Sequence, residues 1–277
     1  MWAKLTQQFR ESMNILKATA FATYKEWSAY RSHMAISLFV GPIFFLVQVF
    51  IWNAIYGGRA TVTGLTLQQM LTYYGIAITI NYVIFDFSDW ELQMLIRTGQ
   101  FITFMLRPVS HCYYAFCQKV GHRVLALWIE FAPVLVMLVV IFKINLIPVN
   151  PGWTVISFLL SFILIFFINY TVGIMGFWLT KTEGIRRAFM LLRDLCAGVY
   201  LPLTFFPPLL QKVLFFLPFQ FVTYVPTRVF LGSYELAGIT MSIPAIVGLQ
   251  ALAVVLMYIV YRILWYFGVK KFTGVGV

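Results

Sequence analysis

The stretch VISFLLSFILIFFINYTVGIMGFW, residues 155–178, carries no charged side chain. As a helix rising about 1.5 Å per residue it covers roughly 36 Å, enough to cross the hydrocarbon core of a bilayer. Apolar runs of similar reach recur at 33–56, 66–86, 112–142, 153–179, 188–206 and 244–268. Only 10% of the 277 residues are charged, where a soluble domain carries about 25%. So few charges cannot cover a water-facing surface of this size, so lipid must solvate much of the exterior. The fold class read from this pattern is an all-α membrane protein with six transmembrane helices. The second run is the weakest, because Gln68, Gln69 and Asn81 interrupt it.

Three segments depart from simple spans. Residues 1–32 have Trp2, Leu5, Phe9, Met13, Leu16, Ala20, Tyr24 and Trp27 at helical spacing, with Lys4, Glu11, Lys17 and Lys25 between them. That pattern predicts an amphipathic helix lying in the membrane interface, with docking on a soluble partner as the alternative. Residues 87–111 mix charge with apolar residues at helical spacing. Residues 202–232 contain Pro202, Pro207, Pro208, Pro218 and Pro226, which no single straight helix tolerates. Short broken helices dipping into the outer leaflet, as a re-entrant segment, fit this composition, provided protein or a water-filled cavity shields their backbone. The domain division is therefore an interfacial helix at 1–32 and a transmembrane domain at 33–277.

With the N-terminus inside, all of the 20 Lys and Arg except Arg59, Lys143, Lys212 and Arg228 fall on the cytoplasmic side. This is a strong positive-inside asymmetry. It sets both termini in the cytoplasm of a multi-pass chain, with 87–111 inside and 202–232 outside. The net charge of +11 is spread between apolar runs, so nucleic acid is not the expected partner.

No phosphate-cradling GxxxxGK[ST], no nucleophile elbow and no metal-ligand spacing occurs. Cys112, Cys117 and Cys196 form no CxxC pair and read as inert buried thiols. No catalytic residue, metal site or cofactor is expected in this chain, and uphill transport needs another subunit's ATP or an ion gradient. Glu130 is the one carboxylate at mid-span. It either lines a polar substrate path or is hydrogen-bonded to a neighbouring helix, as buried polar groups in bundles are.

Three motifs carry a resemblance. Tyr30-Arg31 precedes the first span. Ile96-Arg97-Thr98-Gly99-Gln100 is followed by Leu106-Arg107-Pro108-Val109-Ser110. Leu201-Pro202-Leu203 and Phe206-Pro207 are followed by Leu217-Pro218-Phe219-Gln220, Pro226 and Phe230-Leu231-Gly232. In order and spacing the chain resembles the short six-span branch of the ABC-2 type permeases. Met105 departs from the family's aliphatic or Tyr preference. The resemblance implies a permease subunit of an ATP-driven exporter in the bacterial cell membrane, without catalytic activity of its own. ATP and Mg would be held by partner ATP-binding cassette subunits, and a second permease, identical or homologous, would complete the assembly within membrane lipids. It implies that 87–111 is a coupling helix, with Glu91, Leu95, Ile96, Arg97, Gly99, Arg107 and Pro108 engaging the ATPase. Leu92, Leu95, Ile96 and Phe101 form the apolar face expected to seat in that partner. It implies also an extracellular gate at Pro202, Phe205, Phe206, Pro207, Pro218 and Phe219. A stand-alone secondary carrier or channel is the rival reading, disfavoured by the scarcity of mid-span charge. A non-transporting scaffold is a third.

Overall fold

The computed structural model describes residues 2–29, 31–62, 65–179 and 182–272. Tyr30 of the first motif and Lys181 of the basic loop lie outside the described residues. So do the side chains of Trp2, Leu5, Phe9 and Trp27 on the N-terminal helix.

Among the described residues, four helices are long and apolar enough to cross a bilayer: Leu38–Tyr56, Leu67–Arg97, Pro151–Phe177 and Ile243–Val269. A fifth candidate crossing pairs His111–Trp128 with Phe131–Ile141, bent by 45°. The bend follows from the sequence. Pro133 has no N–H to offer the Ile129 carbonyl and its ring crowds that turn, and the helix continues through a π-helical stretch, Met137–Ile141. Glu130 sits at the bend.

We label the helices α1 (Trp2–Ala29), α2 (Arg31–Tyr56), α3 (Leu67–Ile84), α4 (Ser88–Arg97), α5 (Ile102–Met105), α6 (His111–Ile129), α7 (Phe131–Val136) and α8 (Pro151–Ile174). They continue as α9 (Glu183–Cys196), α10 (Pro208–Phe216), α11 (Tyr224–Phe230) and α12 (Ile243–Val269). The strands β1 (Tyr234–Leu236) and β2 (Ile239–Met241) pair antiparallel, Tyr234 opposite Met241 and Leu236 opposite Ile239.

The expected span at 188–206 is not one membrane-length helix. α9 has 14 residues, about 21 Å of rise, and ends at Cys196. A turn and a short 3-10 segment, Leu203–Phe205, follow. The irregular backbone between them is held from inside the protein: Tyr73 Oη donates to Gly198 O at 2.7 Å, Tyr74 Oη to Tyr200 O at 2.7 Å, and the Tyr224 amide to Ala197 O at 2.9 Å. These bonds satisfy carbonyls that an apolar surrounding would leave stranded.

α8 is the central post, packed against α12, α4, α3 and α11. Its small polar residues face inward. Gln250 of α12 donates from Nε2 to Ser157 O at 3.0 Å, Ser161 Oγ at 2.9 Å and Phe221 O at 3.0 Å, while Ser157 Oγ donates to Gln250 Oε1 at 2.7 Å. Polar groups used in this way fix helix pairs where lipid supplies no hydrophobic drive. Gly173 lets α4 approach: a Cβ there would lie 3.1 Å from the Leu92 Cβ and 3.2 Å from the Asp89 backbone. α1 packs along α6 rather than standing alone, and Tyr113 Oη donates to Ser12 O at 2.7 Å. Phe21 and Tyr24 remain exposed on its other side.

The proline-rich 202–232 segment forms short helices, with Pro207 and Pro208 starting α10 and Pro218 starting a 3-10 turn. Proline suits those first positions, where no helical N–H partner is needed. Gln211 Nε2 donates to Thr204 O at 3.0 Å and Phe206 O at 2.7 Å, its Oε1 accepts from the Ala237 amide at 3.0 Å, and Tyr234 Oη donates to Gln220 Oε1 at 2.7 Å.

Candidate functional site

The segment expected to form a separate coupling helix is divided. Its first half, α4, prolongs α3 after a three-residue break at 85–87. The apolar face read for a partner is largely spent within the chain. Leu92 is fully buried, Ile96 nearly so, and both face α8 and the residues that follow it. Phe101 is buried among rings, 5.4 Å from Phe177, 5.8 Å from Trp265 and 5.3 Å from Phe272 between centroids. Ile96 is thus a packing residue in this fold. Helical spacing could not tell the two faces of α4 apart, because the residues that cover it come some 75 positions later.

What stays free is the turn that follows. Gly99, at φ +71°, closes α4 in the left-handed region that favours glycine, and the Phe101 amide returns to Leu95 O at 3.0 Å. Beyond it Ile102, Met105 and Leu106 are exposed, Leu106 by 84%, beside exposed Arg97, Arg107 and Pro108. Leu95 and Gly99 are half-buried. Arg107 lies over the Phe104 ring at 4.4 Å.

The start of α9 belongs to the same end of the molecule. Thr182 Oγ1 donates to Gln93 Oε1 at 2.7 Å, and Arg186 pairs with buried Asp89 at 3.1 Å. Glu183 is exposed, and the hydrogen bond and charge of Arg187, with Arg186 and Arg97 nearby, hold its carboxyl below the usual carboxylate range. Deeper in, a second link runs across three elements. Asp86 Oδ2 accepts from Ser88 Oγ at 2.7 Å and Asn169 Nδ2 at 3.1 Å. Asn169 Oδ1 accepts from Arg193, and Arg193 pairs with Asp194 at 2.7 Å. Directional bonds thus tie α4 to the start of α9, and the 85–87 break to α8 and the end of α9.

Beside the break lie two cavities. One, about 350 Å³, is lined by Glu26, Asp86, Glu91, Lys119, His122 and Arg123 with several apolar neighbours. The other, about 480 Å³, is mainly apolar, between Val40, Phe44, Ala77, Ile78 and Tyr82, with Glu130 on its wall. Glu91, expected to contact a partner, faces the first cavity. A family model, "ABC-2 family transporter protein", matches residues 43–276.

The chain belongs to the ABC-2 transporter family. No curated protein and no solved structure matches it significantly. An ABC-2 permease is the membrane component of its transporter and not the catalytic ATPase.

The residues expected to form an ABC-2 outer gate are distributed unevenly. Pro202 is buried. Phe205, Phe206, Pro218 and Phe219 are half-buried, and Pro207 is exposed. Phe205 meets Trp52 of α2 at 5.6 Å and Phe219 meets Phe189 of α9 at 5.9 Å between ring centroids. These contacts join the segment to α2 and α9.

Lys119 and Arg123, two of the charges that the positive-inside pattern sets on the cytoplasmic side, are both buried in α6. Lys119 Nζ donates to Phe162 O at 2.8 Å and Arg123 Nη1 to Tyr82 O at 3.0 Å. The spacing 119, 123, 126, 130 sets both cations and Glu130 on one helix face, and that signal was available in the sequence.

Proposed function

We propose that this permease is the membrane subunit of an ATP-driven exporter, engaging ATP-binding cassette subunits through the 97–108 turn and the start of α9. The exposed apolar tip of that turn carries the reading. Ile102, Met105 and Leu106 are exposed beside exposed Arg97 and Arg107, and an exposed apolar patch with a charged rim suits a protein partner. Of the residues expected from the sequence, Arg97, Gly99, Arg107 and Pro108 fit this surface, Leu95 and Ile96 support it from behind, and Glu91 faces the first cavity instead. Nucleotide and Mg belong to the partner. Six crossings keep both termini cytoplasmic if α9 and the irregular 197–206 backbone make one broken span, and the inward bonds from Tyr73 and Tyr74 support that. A second permease, identical or homologous, then faces this one in a bacterial cell membrane. The 202–232 segment dips into the outer leaflet as the gate over a path between the two.

The test is to replace Arg97 by Glu and Gly99 by Val, separately, and to measure co-purification of the ATPase and ATP-driven export in vesicles. Loss of both with retained folding is expected. Unchanged assembly and transport in both variants contradicts the coupling assignment. A stand-alone secondary carrier remains the second reading, favoured by one observation: Lys119, Arg123 and Glu130 share a face of one span. Gradient-driven transport by this chain alone, without nucleotide, is its signature.

A further inference from the structure

The two cavities are neighbours, with Phe85, Phe87, His122 and Arg123 lining both. One is ionic and the other greasy, and Arg123 stands where they meet. Its residue exposure is 4% and its Nε is buried without a hydrogen-bond partner. Among the described residues, neither Lys119 nor Arg123 has a carboxylate within ion-pair distance. Glu26 and Glu91 face the same ionic chamber and likewise form no ion pair among the described residues. A buried guanidinium with a stranded donor is costly unless something else bonds it.

Each chemical class of occupant can be weighed against this lining. A purely apolar molecule leaves the charges stranded. A simple anion suits Lys119 and Arg123 but meets Glu26, Asp86 and Glu91. A simple cation suits the carboxylates and meets the two buried bases. The volumes, about 350 and 480 Å³, lie in the range of small-molecule sites, about 300–1,000 Å³.

We infer that the two neighbouring cavities together bind a drug-sized zwitterionic amphiphile. Its anionic group bonds Arg123 and Lys119, its cationic group lies toward Glu26 and Glu91, and its tail lies between Val40, Phe44, Ala77 and Ile78. As a substrate site this rests on the permease reading, but binding does not require the ATPase. The chemistry is shared by a single-chain zwitterionic lipid of the bilayer and a soluble zwitterionic amphiphile.

The experiment titrates the full chain in non-ionic micelles with three single-chain probes of equal tail length, read by native mass spectrometry. The probes are lysophosphatidylethanolamine, lysophosphatidylglycerol and an alkyltrimethylammonium. The first is expected to bind about tenfold more tightly than either other. Glu91→Gln is expected to weaken the zwitterionic probe while strengthening the anionic one, an opposite movement that loss of packing alone does not produce. Arg123→Gln weakens both phosphate probes, and Arg123→Lys restores part of the loss. Ala77→Phe, which fills the apolar half, weakens all three. Competition by diacyl phosphatidylethanolamine identifies the bilayer as source, and its absence identifies a soluble amphiphile; both support the shared chemistry. Equal affinity for the three probes, tightest binding of the anionic one in the unmodified chain, or indifference to Glu91→Gln overturns the inference. Binding without ATP-driven export leaves the site standing and counts against the exporter reading alone.

Discussion

The two ends of the bundle are held together by different chemistry. At the end carrying α4, α5 and the start of α9, the bonds join helices far apart in sequence: Asp89 to Arg186, Gln93 to Thr182, and Asp86 through Asn169 to Arg193. At the other end, most bonds close loops on themselves, as with Gln211 to Thr204 and Phe206, Tyr224 to Glu235, and Tyr234 to Gln220. Phe221 O, which accepts from Gln250 and Ser161, is one of the links from that cap to the spans. The proposed coupling role calls for helices bonded to one another, and the proposed gate for a cap bonded mainly to itself.

Four perturbations probe the contrast, in decreasing size. Arg193→Leu strips the buried partner of both Asn169 and Asp194. It is expected to cost about 3–5 kcal/mol and to abolish transport, seen as a large fall in thermal midpoint of the purified chain. Gln220→Leu removes the acceptor of Tyr234 in the outer cap and its donation to Phe215 O. About 1–3 kcal/mol is expected, with ATPase co-purification unchanged. If Gln220→Leu also releases the ATPase, the two ends are not independent. Gly99→Ala forces a side chain into the left-handed region, at about 1–2 kcal/mol, and is expected to lower ATPase assembly more than stability. Glu183→Gln is the smallest. The Glu183 carboxyl is held low by Arg187, so its contribution is present above the ordinary carboxylate range. It is lost only as pH falls through the folded value. Because the group is exposed, no measurable shift in midpoint is expected at neutral pH.

Much of the architecture is legible in the residues. Apolar length alone marks α2, α8 and α12, and the prolines mark the broken outer segment. Pro133 marks the bend in the α6–α7 crossing. Legibility ends where long-range packing decides. The apolar stripe on α4 meets a helix from the other half of the chain, so Leu92, Ile96 and Phe101 pack inward although their spacing suits a partner. The 188–206 run is apolar enough for a span, but side-chain anchors from Tyr73 and Tyr74 hold its second half as irregular backbone. Lys119 and Arg123 look like ordinary inner-face charges until α3 and α8 carbonyls are seen to receive them.

The most direct measurement uses Leu106→Asp, since Leu106 is exposed by 84% and belongs to neither buried cluster. The chain is co-expressed with its ATP-binding subunit, and the amount of ATPase retained per permease is measured beside the thermal midpoint of the permease alone. The account predicts an unchanged midpoint and at least a roughly tenfold loss of retained ATPase, the effect of burying an unpaired charge at an interface. Full retention of the ATPase with an unchanged midpoint contradicts the assignment of the 97–108 turn as the coupling surface.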